Sequence, residues 1–203
     1  MNVLCDGNNV VLIGRKVSDF VFSHETAGEY FYKFTLRSSR YSSTPDDIPV
    51  VVSDRIIGTD DFNNGSVCVI GQVRSFDRKT KNKKHLDVYV FATDIYYAEE
   101  SDKNDVFLIG YVCRPPVYRK TPEGRKITDI MLSVPRHYRK SDYIPCIAWG
   151  RNAKWASTFE VGTHISVTAR FQSRPYPKTD NDETEQKIAY EMSVSRIERI
   201  PYE

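Results

Sequence analysis

No stretch of this 203-residue chain approaches the roughly 20 consecutive apolar residues that a membrane-spanning helix needs, and its first residues lack the basic and apolar regions of a secretion signal. With a mean hydropathy of −0.50, the composition predicts a soluble, cytoplasmic globular protein with no membrane partner. Long amphipathic helical patterns are also missing. Cysteine is scarce and scattered: Cys5, Cys68, Cys113 and Cys146 show no Cys-x-x-Cys spacing and no histidine pair that would complete a zinc site, so they read as free thiols in or near cores. The histidines, His24, His85, His137 and His164, are spaced for neither a metal nor a triad. Neither a Gly-x-x-x-x-Gly-Lys-Ser/Thr loop nor a Gly-x-Ser-x-Gly elbow occurs. These absences remove the usual routes to catalysis and predict a non-enzymatic protein without cofactor, metal or small-molecule substrate. The acidic group Asp180, Asp182, Glu183 and Glu185 reads as a solvated hairpin tip, because nothing around it fixes a coordination shell.

What the chain does have is a repeat. Asn8-Asn9-Val10-Val11-Leu12-Ile13-Gly14 returns as Asn104-Asp105-Val106-Phe107-Leu108-Ile109-Gly110, an offset of 104 − 8 = 96. The same offset carries Gly28 onto Gly124, Leu36 onto Leu132, Arg40 onto Arg136, and Ile48-Pro49 onto Ile144-Pro145. This period is too long for a solenoid unit and suits an independent domain with a modest core of its own. The expected organisation is a first domain over 1–98, a short charged linker over 99–103 and a second domain over 104–203.

Within each copy, runs rich in Val, Ile, Tyr, Phe and Thr alternate with Gly, Pro, Asn and Asp, the pattern of an all-β protein with tight turns. In the second copy strands are expected near Val106–Val112, Arg125–Pro135, Tyr143–Trp149, His164–Ser173 and Lys187–Ile197. The first copy repeats them near Val10–Val17, Glu29–Ser38, Ile48–Ser53, Ser66–Phe76 and Leu86–Tyr96. Five strands per copy is the count of an OB barrel, so the expected fold class is all-β: two tandem five-stranded OB-fold barrels, each with at most one short helix. Ala153, Ala156 and Phe159 recur at helical spacing, which predicts a helix plugging the second barrel, with Trp155 packing it; the counterpart over Asp54–Asn64 is eroded. From the fourth strand onward the offset grows to 98, as an insertion in a turn requires.

Charge divides unevenly. Residues 1–103 carry 13 Lys and Arg against 15 Asp and Glu, net −2, whereas residues 104–203 carry 16 against 12, net +4. The second copy is the better candidate for a polyanion. Its opening strand, then Arg114-Pro115-Pro116-Val117-Tyr118-Arg119 leading to Thr121-Pro122-Glu123-Gly124, then Tyr143-Ile144-Pro145-Cys146-Ile147-Ala148-Trp149-Gly150-Arg151, resembles the bacterial single-stranded DNA-binding protein family over the whole second copy. The first copy resembles it less closely, mainly through its opening strand, Gly28 and Gly71-Gln72-Val73-Arg74.

That resemblance implies an OB fold that stacks bases on exposed rings and pairs phosphates with Lys and Arg, in DNA replication, recombination or repair. The family's ring positions correspond to Tyr138, Tyr143, Trp149 and Tyr176. Around them Arg119, Lys120, Arg136, Arg139, Lys140, Arg151, Arg170 and Arg174 interleave cations with aromatic faces, as binding of a flexible polyanion requires. The matching positions of the first copy are Ser42, Asp47 and Ser53, although Tyr41 and Phe76 lie close to aromatic sites. The pair Asp46-Asp47 is expected to repel phosphate. The first copy is therefore expected to bind weakly, or by charge through Lys81 and Lys83 of its Lys-rich hairpin with Phe76 nearby, and to serve structure or assembly.

The resemblance also implies four OB folds per assembly, hence a homodimer of this two-fold chain. The chain stops at Arg199-Ile200-Pro201-Tyr202-Glu203, without the acidic tail through which the family recruits enzymes. Recruitment by that route is accordingly not expected, which points to a specialised paralogue of a phage or mobile element, or an accessory similar to primosomal OB proteins. The competing expectation is an OB-fold scaffold that docks protein and has little nucleic-acid affinity; RNA binding is a third.

Overall fold

The computed structural model describes residues 7–40, 44–80, 83–137, 140–180 and 183–201, with backbone only at 79–80, 83–84, 178–180 and 183–184. In the first half run β1 (Asn8–Lys16), β2 (Val21–Thr26), β3 (Glu29–Ser38), β4 (Asp46–Ser53), a one-turn α1 (Asp54–Ile57), β5 (Ser66–Thr80) and β6 (Lys83–Ala98). The second half repeats the order with β7 (Lys103–Val112), β8 (Val117–Lys120), β9 (Lys126–Pro135), β10 (Ser141–Trp149), α2 (Gly150–Ala156), β11 (His164–Asp180) and β12 (Glu183–Arg199).

Period-two alternation sends one face of each strand into a barrel. Val10, Leu12, Leu36, Ile48 and Val50 fill the first, and Val106, Leu108, Leu132, Ile144 and Phe171 the second. Each barrel closes because its first strand pairs in turn with two strands of that barrel. β1 pairs with β5 up to Gly14 and then with β3 through Arg15 and Lys16; β7 does the same with β11 and β9. At the crossing the backbones nearly touch, and a Cβ on Gly14 would collide with the carbonyl of Arg37, as one on Gly110 would with that of Ser133. Closure is the reason both repeated apolar runs end in glycine.

α2 places Ala153 and Ala156 in the end of the second barrel, with Phe159 behind them, as the spacing predicts. Trp155 packs the helix only in part: it is 41% exposed and lies edge-on to Phe159, 5.0 Å between centroids. In the first barrel the shortened α1 buries nothing, and Phe62 takes the plugging place beside Phe20. β2 and β8, absent from the sequence expectation, add a sixth strand to each barrel. Both are exposed along nearly their whole length, so they carry no alternation to detect; hydrogen bonds to β3 and β9 hold them. The β5–β6 and β11–β12 pairs are longer than expected, running on as ribbons beyond the barrels.

The two barrels share one sheet. β1 and β7 pair antiparallel from Asn8↔Leu108 to Ile13↔Lys103, giving the strand order β2-β3-β4-β6-β5-β1-β7-β11-β12-β10-β9-β8. Asn8 is buried against Val73, donating to its carbonyl (2.9 Å) and accepting from its N–H (2.8 Å), and Asn104 does the same at Phe171. Each lies just past the last backbone pair of its ladder, Val10↔Gly71 and Val106↔Ala169, so the asparagine side chain satisfies the Val73 and Phe171 backbone groups where the main chains part.

A second pair of contacts locks the barrels across the seam. Asp142, fully buried, accepts from Arg136 of its own barrel and, from the other barrel, from the Ser75 N–H (2.6 Å) and Arg74 (3.2 Å). Ser75 Oγ in turn accepts the Tyr143 N–H at 2.8 Å. The mirror arrangement joins buried Asp46 to Arg40, to the Ser173 N–H (2.9 Å) and to Arg170 (2.7 Å), while Ser173 Oγ accepts the Asp47 N–H at 2.9 Å. Each carboxylate is thus desolvated but has charged donors and a backbone amide, the condition under which a buried ion group is tolerated.

Candidate nucleic-acid interface

β10 supplies the rings. From Asp142 onward it alternates, with Ile144, Cys146 and Ala148 inward and Tyr143, Pro145, Ile147 and Trp149 on the outer face. The inward thiol of Cys146 is pushed up to about 12 by burial, so it is chemically quiet. Tyr143 is 45% exposed, and its cross-strand neighbour is the small Ser133, which leaves the ring uncovered. Trp149, half-buried, donates its indole N–H to Ser193 Oγ at 3.1 Å. That bond satisfies the polar edge and fixes the ring. Beside it opens a groove of about 510 Å³ lined by Gly124, Arg125, Lys126, Trp149 and Gly150.

Arg125 and Lys126 are exposed and have no ion pair among the described residues, so they are free to meet phosphate. Sequence reasoning passed over both. The available signal was their position directly after Gly124, in a turn whose glycine has a φ of +79° and holds the hairpin against the end of β10.

Tyr176, half-buried on β11, lines a second groove of about 710 Å³ at the seam, with Pro145 of β10, Ile188 of β12 and, from the first barrel, His85 and Leu86. Phe76, 61% exposed on β5, follows Ser75 and so lies next to the Tyr143 backbone across the seam. Tyr143 and Trp149 thus share the outer face of β10, Tyr176 lines the seam groove, and Phe76 is exposed on β5 of the first barrel. Tyr138 and Arg139 lie outside the described residues, as do Lys81, Tyr41 and Ser42, and Lys83 is described by backbone alone.

The expected cations divide into two groups. Arg136 and Arg170 are committed to the buried Asp142 and Asp46, so their place is the clamp between barrels. Arg119 makes a bidentate pair with Asp129 (2.5 and 3.0 Å), and Arg174 with Glu191 (3.0 and 3.3 Å). Hydrogen bonding to these carboxylates raises the pKa of Arg119, Arg136 and Arg174. Lys120, Lys140 and Arg151 are exposed and without an ion pair among the described residues. On the first barrel, the acidic pair is neutralised: Asp46 belongs to the clamp and Asp47 pairs with Arg37 at 2.6 and 2.7 Å, so the expected repulsion of phosphate there is largely cancelled. Among the described residues there is no cluster of ligating side chains suited to a metal and no helix long and apolar enough to cross a membrane.

Residues 103–200 match the model of the single-strand binding protein family. Single-stranded DNA-binding protein 1 of Lactococcus lactis is 32% identical over 80 residues, covering 36% of this chain and 53% of the relative. Single-stranded DNA-binding protein A of Bacillus subtilis is 28% identical over 102 residues, 47% of this chain and 58% of the relative. The chain thus spans about half the length of the curated relatives it matches. Across nearly its whole extent the fold is that of the single-stranded DNA binding protein from Thermus aquaticus, with a TM-score of 0.78 at 20% identity over 97% of this chain and 94% of that one. The tandem OB architecture is therefore shared, and the similarity to the single-strand binding protein family falls on the second barrel.

Proposed function

We propose that the protein binds single-stranded DNA, without catalysis and with little sequence preference, through the outer face of its second barrel. The observation that carries this reading is the Trp149 groove, where a ring fixed by its bond to Ser193 stands beside the unpaired Arg125 and Lys126, with Tyr143 further along the same strand. Every base has a π-face, so stacking accepts any sequence, and each stacked base contributes about 1–3 kcal/mol. Phosphate contacts release counterions and make affinity fall with salt. Such a protein protects single strands during replication, recombination or repair.

The test is titration with oligo-dT at several salt concentrations, following tryptophan fluorescence, with Trp149→Ala as the control. Quenching that weakens with salt and is lost in the variant is expected. Absence of binding at low salt would overturn the reading and favour a protein-docking scaffold.

The same reading takes the working assembly to be a homodimer with four OB folds. Supporting it, the outer face of the shared sheet exposes Tyr96, Phe107 and Tyr111 around Val11 and Ile109, and the buried Oδ1 of Asn9 has no hydrogen-bond partner. Light scattering is expected to give twice the 23.4 kDa chain mass; a monomer at working concentration would refute it.

A further inference from the structure

Register shows that the first barrel has moved its aromatic ring. On the second barrel Trp149 of β10 lies opposite Ile127 of β9, and on the first the equivalent cross-strand pair is Ser53 of β4 opposite Phe31 of β3. A ring therefore occupies this cross-strand pair on both barrels, displaced by one strand, although Phe31 is buried beneath its neighbours where Trp149 is half-buried. Around Phe31 the exchanges continue. Phe91 stands on β6 beside Val51, where the second barrel has Ser193 beside Ile147, and its ring lies 5.7 Å from Phe31. His24 on β2 is opposite Phe31, where the second barrel has Arg119 opposite Ile127.

The His24 ring lies flat on Phe31, 4.8 Å between centroids and 10° between planes, and Ser23 Oγ bonds its Nδ1 at 3.0 Å. One face of the imidazole is thus covered and its edge held, while the residue as a whole is exposed. Resting on our reading of the second barrel, we propose that the first barrel carries its own nucleobase platform, in which a base stacks on the outer face of His24 over Phe31 and Phe91. The site prefers the end of the barrel marked by Lys33, which is exposed on the same face two residues from Phe31 and has no ion pair among the described residues. At the other end stand Glu29, which accepts from Ser53 Oγ and pairs with Arg55 at 4.0 Å, and Asp54, which accepts the Arg55 N–H at 3.0 Å, so the cation there is already shared with carboxylates. A strand engaged on the second barrel has a route to this platform, because Tyr143 adjoins Ser75 and Phe76 of β5 and the outer row Phe76, Arg74, Gln72 leads along β5 beside Asp87, Tyr89 and Phe91 of β6.

The test uses the full chain and two oligo-dT lengths. A single OB fold covers about 4–16 nucleotides, so an oligomer of about 10 is held by one barrel and one of about 30 reaches both. In a Trp149→Phe, Trp155→Phe background, His24→Trp provides a lone indole at the platform. Its fluorescence should be quenched by the longer oligomer. Independently, His24→Ala should weaken the longer oligomer by about tenfold, the loss of one stacked base, and leave the shorter one unchanged. An unquenched indole while a labelled 30-mer binds, or equal affinity of His24→Ala and wild type at both lengths, would overturn the platform with the second-barrel reading intact. Failure of the wild type to bind either length would remove that reading and the platform with it.

Discussion

The two barrels share the residues that build and join them and differ in those they present outward. Gly14 and Gly110 close both barrels, Asn8 and Asn104 extend the ladders of both first strands, and Asp46 and Asp142 anchor both halves of the clamp. On the outer face the cross-strand pairs have changed their chemistry: Arg37 opposite Asp47 becomes Ser133 opposite Tyr143, and Phe31 opposite Ser53 becomes Ile127 opposite Trp149. A position inside a barrel or a seam is constrained by packing from several sides and by the cost of an unpaired polar group. An exposed position such as Arg37 or Tyr143 has no such constraint and is free to answer to a ligand. The duplicated chain thus keeps one scaffold and carries two different surfaces on it.

The sharpest way to break this comparison is to attack what the halves share. Asp46→Ala and Asp142→Ala each strand two arginines and one buried backbone amide at the seam. Each should cost about 3–5 kcal/mol, as removal of one partner from a buried ion group does. Thermal or denaturant unfolding should show similar destabilisation for both; a large effect for one and none for the other would mean that the two clamps are not equivalent.

Smaller effects should separate the outer faces. Arg125→Ala with Lys126→Ala should reduce the salt slope of binding, by about 0.7 for each phosphate that is no longer neutralised. Asp47→Ala, by contrast, frees Arg37 on the first barrel and should leave the slope unchanged or steepen it by at most about 0.7. If the two variants shift the slope in the same direction, the assignment of phosphate binding to the Trp149 groove fails.

Much of the fold was legible because hydrophobic alternation and the repeat of Asn-Asn-Val-Val-Leu-Ile-Gly act over neighbouring residues. α2 was legible for the same reason, since Ala153, Ala156 and Phe159 declare a helical face. β2 and β8 were not, because an edge strand with no buried side writes no pattern. The rings Tyr143, Trp149 and Tyr176 could be named from their places in the chain, and the structure puts them on outer surfaces or in grooves. The cations could not be sorted in that way. Arg136 and Arg170 look as available as Arg125 and Lys126 in one dimension, yet the first two meet buried carboxylates and the last two face solvent.

From the amino-acid order alone came the duplication and the all-β class, since both rest on local periodicity or on one copy compared with the other at a constant offset, while the aromatic candidates of the second copy came from its resemblance to a family. Tertiary structure decided which charges are spent and which are free, and it joined His24, Phe31 and Phe91 into one patch. At a fixed offset Ser53 reads as the loss of a ring. Strand register, which sets neighbours at right angles to the chain, places Phe31 beside it.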